Sequence, residues 1–139
     1  MIRILYLSLS LSFIFPFIGD SSDPIRTIGD IGQIALPIYG LYITYENSDN
    51  VGRVQFYKST VATILTTHFL KQTIDKLRPD RSDNNSFPSG HTSAAFSGVT
   101  FIHKRYGLNK AWPIYIVASF VGYSRVYAEK HYWEDVFAG

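Results

Sequence analysis

Two basic residues near the middle of the chain, Lys71 and Arg78, are separated by seven positions, and Pro79 follows directly. Seven residues make almost two helical turns, so both cations would lie on one face of a continuous helix. Two fixed positive charges on one face could bind an anion. The alternative is an ordinary solvated face, with cations near a helix C-terminus, where they are favourable.

The sequence Pro88-Ser89-Gly90-His91 has the residue types of a helix start. Backbone N–H groups in a first helical turn lack intrahelical acceptors, and the helix dipole makes that end positive. Ser89 adds a hydroxyl donor, Gly90 lets an anion approach the backbone closely, and His91 can give or take a proton. The alternative is a plain serine N-cap beside a solvated histidine.

A third group consists of Ser124 and Arg125, followed by His131 and Asp135. His131 and Asp135 have the i,i+4 spacing that places two side chains together on a helix. A carboxylate on one imidazole nitrogen fixes the tautomer and leaves the other nitrogen free to react. The alternative is a surface pair of little energetic value. Arg125 does not share that helix face, so the chain must turn between Arg125 and His131.

Together the three groups supply cations, free backbone N–H groups, two histidines and a carboxylate. This set suits a bound phosphate, whose charge spreads over three oxygens during transfer. No group of Asp, Glu and His with metal-ligand spacing stands beside it. The fixed cations could therefore take the place of a metal.

The elements that must position these residues are predicted to be helices in one compact all-α bundle. Start and stop signals predict helices from Asp30 to about Tyr45, from Val51 to about Leu77, from Pro88-Ser89-Gly90 to about Tyr106, from Lys110 to Tyr123, and from near Tyr132. Pro79 is expected to stop the second helix and Gly107 the third. No later segment has the alternation and turn signals of a strand pair.

Length and composition limit the class of protein. The 139 residues suffice for one domain, and 46% of them are hydrophobic. A net charge of +2 gives no reason to expect nucleic acid as a partner. The absence of cysteine excludes disulfide scaffolds, cysteine-ligated zinc and a cysteine nucleophile.

The N-terminus has the layout of a secretory signal peptide, with Arg3 preceding an uncharged apolar run from Ile4 to Gly19. Residues 1–21 are therefore predicted to be a signal peptide or a membrane anchor, and residues 22–139 the helical domain. Alternating leucine and serine would also allow a strand, but no partner strand follows. The predicted location is the cell envelope, on the periplasmic side. Later uncharged runs are shorter than a membrane span, which favours a soluble or membrane-associated domain.

The three motifs K-x6-R-P, P-S-G-H and S-R-x5-H-x3-D stand here complete and in this order, over residues 71–135. In this respect the chain resembles the type-2 phosphatidic acid phosphatase superfamily, which includes bacterial acid phosphatases and vanadium haloperoxidases. The resemblance implies a helical core of six helices. Since this chain has room for about five, we expect it to lack the last helix and to be truncated at its C-terminus.

The resemblance also implies a role for each motif residue. Lys71, Arg78 and Arg125 would hold the phosphate oxygens, and Ser89 and the Gly90 backbone would hydrogen-bond to them. His131 would attack phosphorus to form a phosphohistidine, and Asp135 would orient it. His91 would protonate the leaving alcohol and then help to activate water. No metal or other cofactor is implied.

The function predicted from the sequence is hydrolysis of a phosphomonoester, either a lipid phosphate or a small soluble ester. Membrane association would favour the lipid. Two alternatives remain at this point: a vanadate-dependent haloperoxidase, and a non-catalytic phosphate-binding protein of the envelope. The sequence does not indicate an oligomeric state.

Overall fold

The computed structural model describes residues 23–139, and these form five α-helices with no β-strand among them. The helices are α1 (Pro24–Glu46), α2 (Asn50–Thr73), α3 (Gly90–Tyr106), α4 (Leu108–Tyr127) and α5 (Trp133–Ala138). The predicted all-α bundle is confirmed. The predicted signal peptide or anchor, residues 1–21, lies outside the described residues.

Helix α1 begins earlier than predicted. Pro24 occupies its first turn, and the Asp23 carboxylate caps it by accepting a hydrogen bond from the Ile25 N–H at 3.0 Å. Proline is well suited to this position because a first-turn residue has no intrahelical use for its N–H. The prediction that Asp30 caps this helix is therefore wrong: Asp30 lies inside α1, and its side chain is free for another use.

Helix α2 ends earlier than predicted, at Thr73 rather than near Leu77, and Ile74 has extended backbone angles. The backbone beyond it pairs with a later part of the same loop: the Lys76 N–H donates to the Asn84 carbonyl, and the Ser86 N–H to the Lys76 carbonyl, both at 3.0 Å. These contacts replace helical hydrogen bonds. Arg78 consequently lies in a loop, and the prediction that it shares a helix face with Lys71 is wrong.

Both ends of α3 follow the sequence signals closely. Ser89 caps α3, and Gly107 ends it with a φ of 94°, in the region that favours glycine. Helix α4 extends to Tyr127, four residues past its predicted end, so Arg125 lies in its last turn. The chain then turns before α5, as predicted.

The core lies where α3 packs against both α1 and α4. Its largest fully buried apolar side chains are Val99, Ile102 and Val121. Helices α1 and α3 approach closely at Gly98, where a Cβ atom would lie 2.7 Å from the Leu36 carbonyl oxygen. This packing fixes the N-terminus of α3 beside the first turns of α1 and the last turn of α4. Among residues 23–139, no helix is both long enough and apolar enough to cross a membrane.

Candidate active site

The three groups of polar residues converge at one end of the bundle. Lys71 comes from the last turn of α2, His91 from the first turn of α3, and Arg125 from the last turn of α4. Arg78 and His131 come from the loops that precede α3 and α5. The contacts described below join these side chains into a single cluster.

His131 is buried, with 3% of its surface exposed. Its Nδ1 lies 2.6 Å from the Ser86 carbonyl oxygen, and its Nε2 lies 3.3 Å from Nη1 of Arg78. Because a carbonyl only accepts hydrogen bonds, Nδ1 carries the proton and Nε2 keeps its lone pair. Burial and the nearby Arg78 and Lys71 charges lower the pKa of His131 to about 3, so it is neutral near pH 7.

Asp135 does not make the predicted direct hydrogen bond to His131. His131 precedes α5, and the distance from its Nδ1 to Oδ2 of Asp135 is 3.9 Å, too long for a hydrogen bond. Asp135 instead accepts from the Ser86 hydroxyl at 2.6 Å, the Tyr132 N–H at 2.9 Å and Lys76 Nζ at 2.5 Å. The helical i,i+4 argument failed because the helix starts two residues after His131. An orienting role for Asp135 stays a prediction and, if present, is indirect.

Arg78 is held from two sides. Its Nε donates to the Asp83 carboxylate at 2.7 Å, and its Nη1 to the Lys130 carbonyl at 3.0 Å. Lys71 donates through Nζ to the Asn85 carbonyl at 2.8 Å. Burial, with a further contribution from Arg78, lowers the pKa of Lys71 to about 8. The two cations thus lie near each other, although not on one helix.

Ser89 caps α3, as the alternative interpretation of a serine N-cap predicted. Its Oγ accepts from the Thr92 hydroxyl at 2.9 Å, and the side chain is fully buried. Among the described residues, the N–H groups of Gly90 and His91 have no hydrogen-bond acceptor. The first turn of α3 therefore presents free backbone donors, and capping by Ser89 is compatible with anion binding there.

The sequence analysis missed Asp30 as a site residue. Oδ1 of Asp30 accepts from His91 Nε2 at 3.0 Å and also from Nη1 of Arg125. Burial opposes ionisation of Asp30, but the hydrogen bonds and charges of His91 and Arg125 lower its pKa overall. Asp30 is the one acidic residue of α1 before Glu46, in an otherwise mostly apolar helix. A single carboxylate in a mostly apolar helix indicates a functional or paired residue, because acidic side chains are rarely buried without a partner.

Burial and nearby charges set the protonation of His91. Burial lowers its pKa to about 4, the Asp30 hydrogen bond opposes this effect, and Arg125 adds to it. Because the ionised Asp30 carboxylate accepts from Nε2, Nδ1 is the nitrogen left to exchange a proton with another molecule. A bound anion would raise the pKa of His91, since it favours the charged form.

Arg125 has unused hydrogen-bonding capacity. It is 2% exposed, and its Nη1 binds Asp30, but its Nε and Nη2 have no partner among the described residues. Buried donors without partners are rare in folded proteins because each costs free energy. The two unpaired guanidinium nitrogens can donate hydrogen bonds to two of the oxygens of a phosphate, whose negative charge complements that of the arginine. Residues 23–139 hold no group of three or more His, Cys, Asp or Glu that could ligate a metal.

Comparison with known families agrees with this geometry. The model of the PAP2 superfamily matches residues 54–139, which include every motif residue of the cluster. The chain belongs to the PAP2 superfamily, the type-2 phosphatidic acid phosphatases.

Particular relatives are phosphatases of lipids. The chain is 30% identical over 129 residues to lipid A 4'-phosphatase of Helicobacter pylori, covering 87% of this chain and 56% of the relative. It is 43% identical over 72 residues to lipid A 1-phosphatase of Porphyromonas gingivalis, covering 50% and 16%. Lipid phosphate phosphatase 1 of Arabidopsis thaliana is 39% identical over 74 residues, covering 42% and 22%. The chain spans about half or less of the length of these relatives, and no solved structure matches it.

Proposed function

We propose that the protein hydrolyses a lipid phosphate monoester without a metal, through a phosphohistidine on His131. The observation that supports this best is the buried Arg125, whose two unpaired nitrogens lie in one cluster with the nucleophilic nitrogen of His131. A cationic site without a nucleophile would only bind an anion. A histidine with an unprotonated nitrogen in that site can also react with the anion.

The first step is transfer of the phosphoryl group to the protein. Lys71, Arg78 and Arg125 hold the nonbridging oxygens and offset the charge that builds up on them. The Nε2 lone pair of His131 forms a bond to phosphorus as the bond to the ester oxygen breaks. His91 gives its proton to that oxygen, so the leaving group departs as a neutral alcohol.

The second step releases phosphate. His91, now neutral, removes a proton from a water molecule whose oxygen attacks phosphorus, and the phosphorus–nitrogen bond breaks. The electron pair returns to Nε2 of His131, and inorganic phosphate leaves. The hydrogen bond from Nδ1 to the Ser86 carbonyl keeps the same nitrogen available for the next cycle.

A lipid substrate is supported by the relatives and by the surface of the domain. Large apolar side chains are exposed on every helix except α3, including Ile31 on α1, Leu65 on α2, Trp112 on α4 and Trp133 on α5. Extended exposed apolar surface marks interaction sites, and tryptophan is favoured at membrane interfaces. We infer contact with a membrane surface, on the periplasmic side of the cell envelope, where a lipid phosphate would be presented.

The test is a phosphate-release assay on vesicles or mixed micelles of lipid A and phosphatidate, beside soluble phosphomonoesters. We expect release from the lipids, unchanged by EDTA. Release from soluble esters alone would overturn the lipid assignment, and loss on chelation that added magnesium or zinc restores would overturn the metal-free mechanism. Bromination in the presence of vanadate and peroxide, without phosphate release, would indicate the haloperoxidase alternative.

His131→Ala tests the nucleophile. We expect turnover to fall on the order of 10³-fold or more, while vanadate still binds, because the cations and backbone donors remain. Rapid quenching of the wild-type protein should trap an acid-labile phosphoprotein that the variant does not form. Full activity of His131→Ala would contradict the mechanism. Vanadate binding by a wild-type protein that releases no phosphate would indicate a binding protein instead.

A further inference from the structure

Ser86 links Asp135 to His131 through two different groups of one residue. Its hydroxyl donates to Oδ2 of Asp135 at 2.6 Å, and its carbonyl accepts from Nδ1 of His131 at 2.6 Å. Its N–H donates to the Lys76 carbonyl at 3.0 Å, and the residue is fully buried. Each polar group of Ser86 therefore has a partner, and its position is fixed from three directions.

The charge of Asp135 is largely engaged elsewhere. Lys76 forms an ion pair with its Oδ1 at 2.5 Å, and the Tyr132 N–H donates to its Oδ2. At 3.9 Å from Nδ1 and neutralised by Lys76, the carboxylate makes no hydrogen bond to the imidazole. What Asp135 does hold directly is the Ser86 side chain, and through it the carbonyl that receives the His131 proton.

We propose that Ser86 is a positioning residue that transmits the effect of Asp135 to His131, an inference that rests on the proposed function. The Ser86 carbonyl selects the tautomer with the proton on Nδ1, and the Ser86 hydroxyl holds that carbonyl in place against Asp135. Without the hydroxyl, Ser86 loses its own hydrogen bond to α5, and its carbonyl is held less firmly. The imidazole would then no longer be held with Nε2 toward the phosphate site.

The experiment compares Ser86→Ala, Asp135→Asn and the double variant in full-length protein. We expect Ser86→Ala to lower kcat by about 10²-fold, the effect of a small misplacement of a reacting group, with vanadate affinity close to that of wild type. If Asp135 acts through Ser86, the double variant should be no slower than the slower single variant. Ser97→Ala is the matched control, because the Ser97 hydroxyl donates to the Ala94 carbonyl of its own helix.

Two outcomes would overturn the proposal: a kcat for Ser86→Ala equal to that of Ser97→Ala, or multiplicative losses in the double variant. If Ser86→Ala does not fold, nitrogen-15 NMR of the wild-type histidines tests whether the Ser86 carbonyl selects the tautomer of His131. The Nδ1–H tautomer of His131 at neutral pH is expected, and the Nε2–H tautomer would overturn the role of the carbonyl. Failure of the proposed function can be distinguished from failure of this inference. In the first case the wild-type protein would release no phosphate, whichever tautomer His131 adopts.

Discussion

Oδ1 of Asp30 accepts a hydrogen bond from Nε2 of His91 at 3.0 Å, across 61 positions of sequence. The same oxygen accepts from Arg125, so one carboxylate joins the proposed general acid to a proposed phosphate-binding cation. Asp30 lies in α1, outside the residues matched by the family model. The first helix is therefore part of the site as well as part of the core.

Asp30→Asn should slow hydrolysis by on the order of 10²-fold, the lower end of what a general acid contributes. The amide has no negative charge, so the pKa of His91 falls further and less of it is protonated. The loss should be larger for an alkyl phosphate than for p-nitrophenyl phosphate, whose leaving group needs little protonation. Steady-state kinetics on both esters checks this.

Asp23→Asn is the matched control for that experiment, because it makes the same change in the same helix at a capping position that asparagine also fills. We expect this variant to keep wild-type rates. Equal losses on the two esters in Asp30→Asn would show that Asp30 supports the fold or Arg125 rather than proton transfer by His91.

The pH dependence of kcat/KM should be bell-shaped and centred at acidic pH. His131 must be neutral to attack, so the rate falls as pH drops through its pKa of about 3. His91 must be protonated, so the rate falls as pH rises through its pKa of about 4. Bound phosphate raises both values, and the kcat profile should lie at higher pH. In His91→Gln the alkaline limb should disappear, and its persistence would assign that limb to another group.

Phosphate binding should weaken as pH rises through the pKa of Lys71, about 8, because the ammonium loses its proton and charge. Lys71→Arg keeps the charge at every accessible pH. Vanadate titrations from pH 7 to 10 should therefore show a declining affinity for the wild-type protein and a flatter one for the variant. The same decline in both proteins would exclude Lys71 as its cause.

Gly98→Ala should destabilise the domain by roughly 1–3 kcal/mol, the usual cost of overpacking. At an open helix position this substitution stabilises by about 0.5–1 kcal/mol, so the expected sign is reversed. The reason is that the new Cβ would meet the backbone of α1 at Leu36 and Pro37, which cannot move aside like a side chain. Urea unfolding followed by circular dichroism measures the change, with the exposed Thr100→Ala as control. Increased stability would contradict the close approach of the two helices.

The sequence by itself determined the helical class, the approximate helix order and most of the polar residues that form the candidate site. Local sequence signals were sufficient to predict the ends of α3. Ser89 caps α3 and Gly107 ends it, because both effects depend on a few neighbouring backbone groups. The motif residues Lys71, Arg78, His91, Arg125 and His131 were identified from type and spacing, and the structure brings them together.

Only the tertiary structure decided which groups hold those residues. The spacing arguments assumed continuous helices. They failed for Lys71 and Arg78 because α2 ends before Arg78, where the loop backbone pairs with itself. They failed for His131 and Asp135 because α5 starts only after His131. The partners that replace them, Asp30 and Ser86, come from 61 and 45 positions away. A hydrogen bond between such distant residues depends on how helices pack, and packing is a property of the whole core that no local pattern specifies.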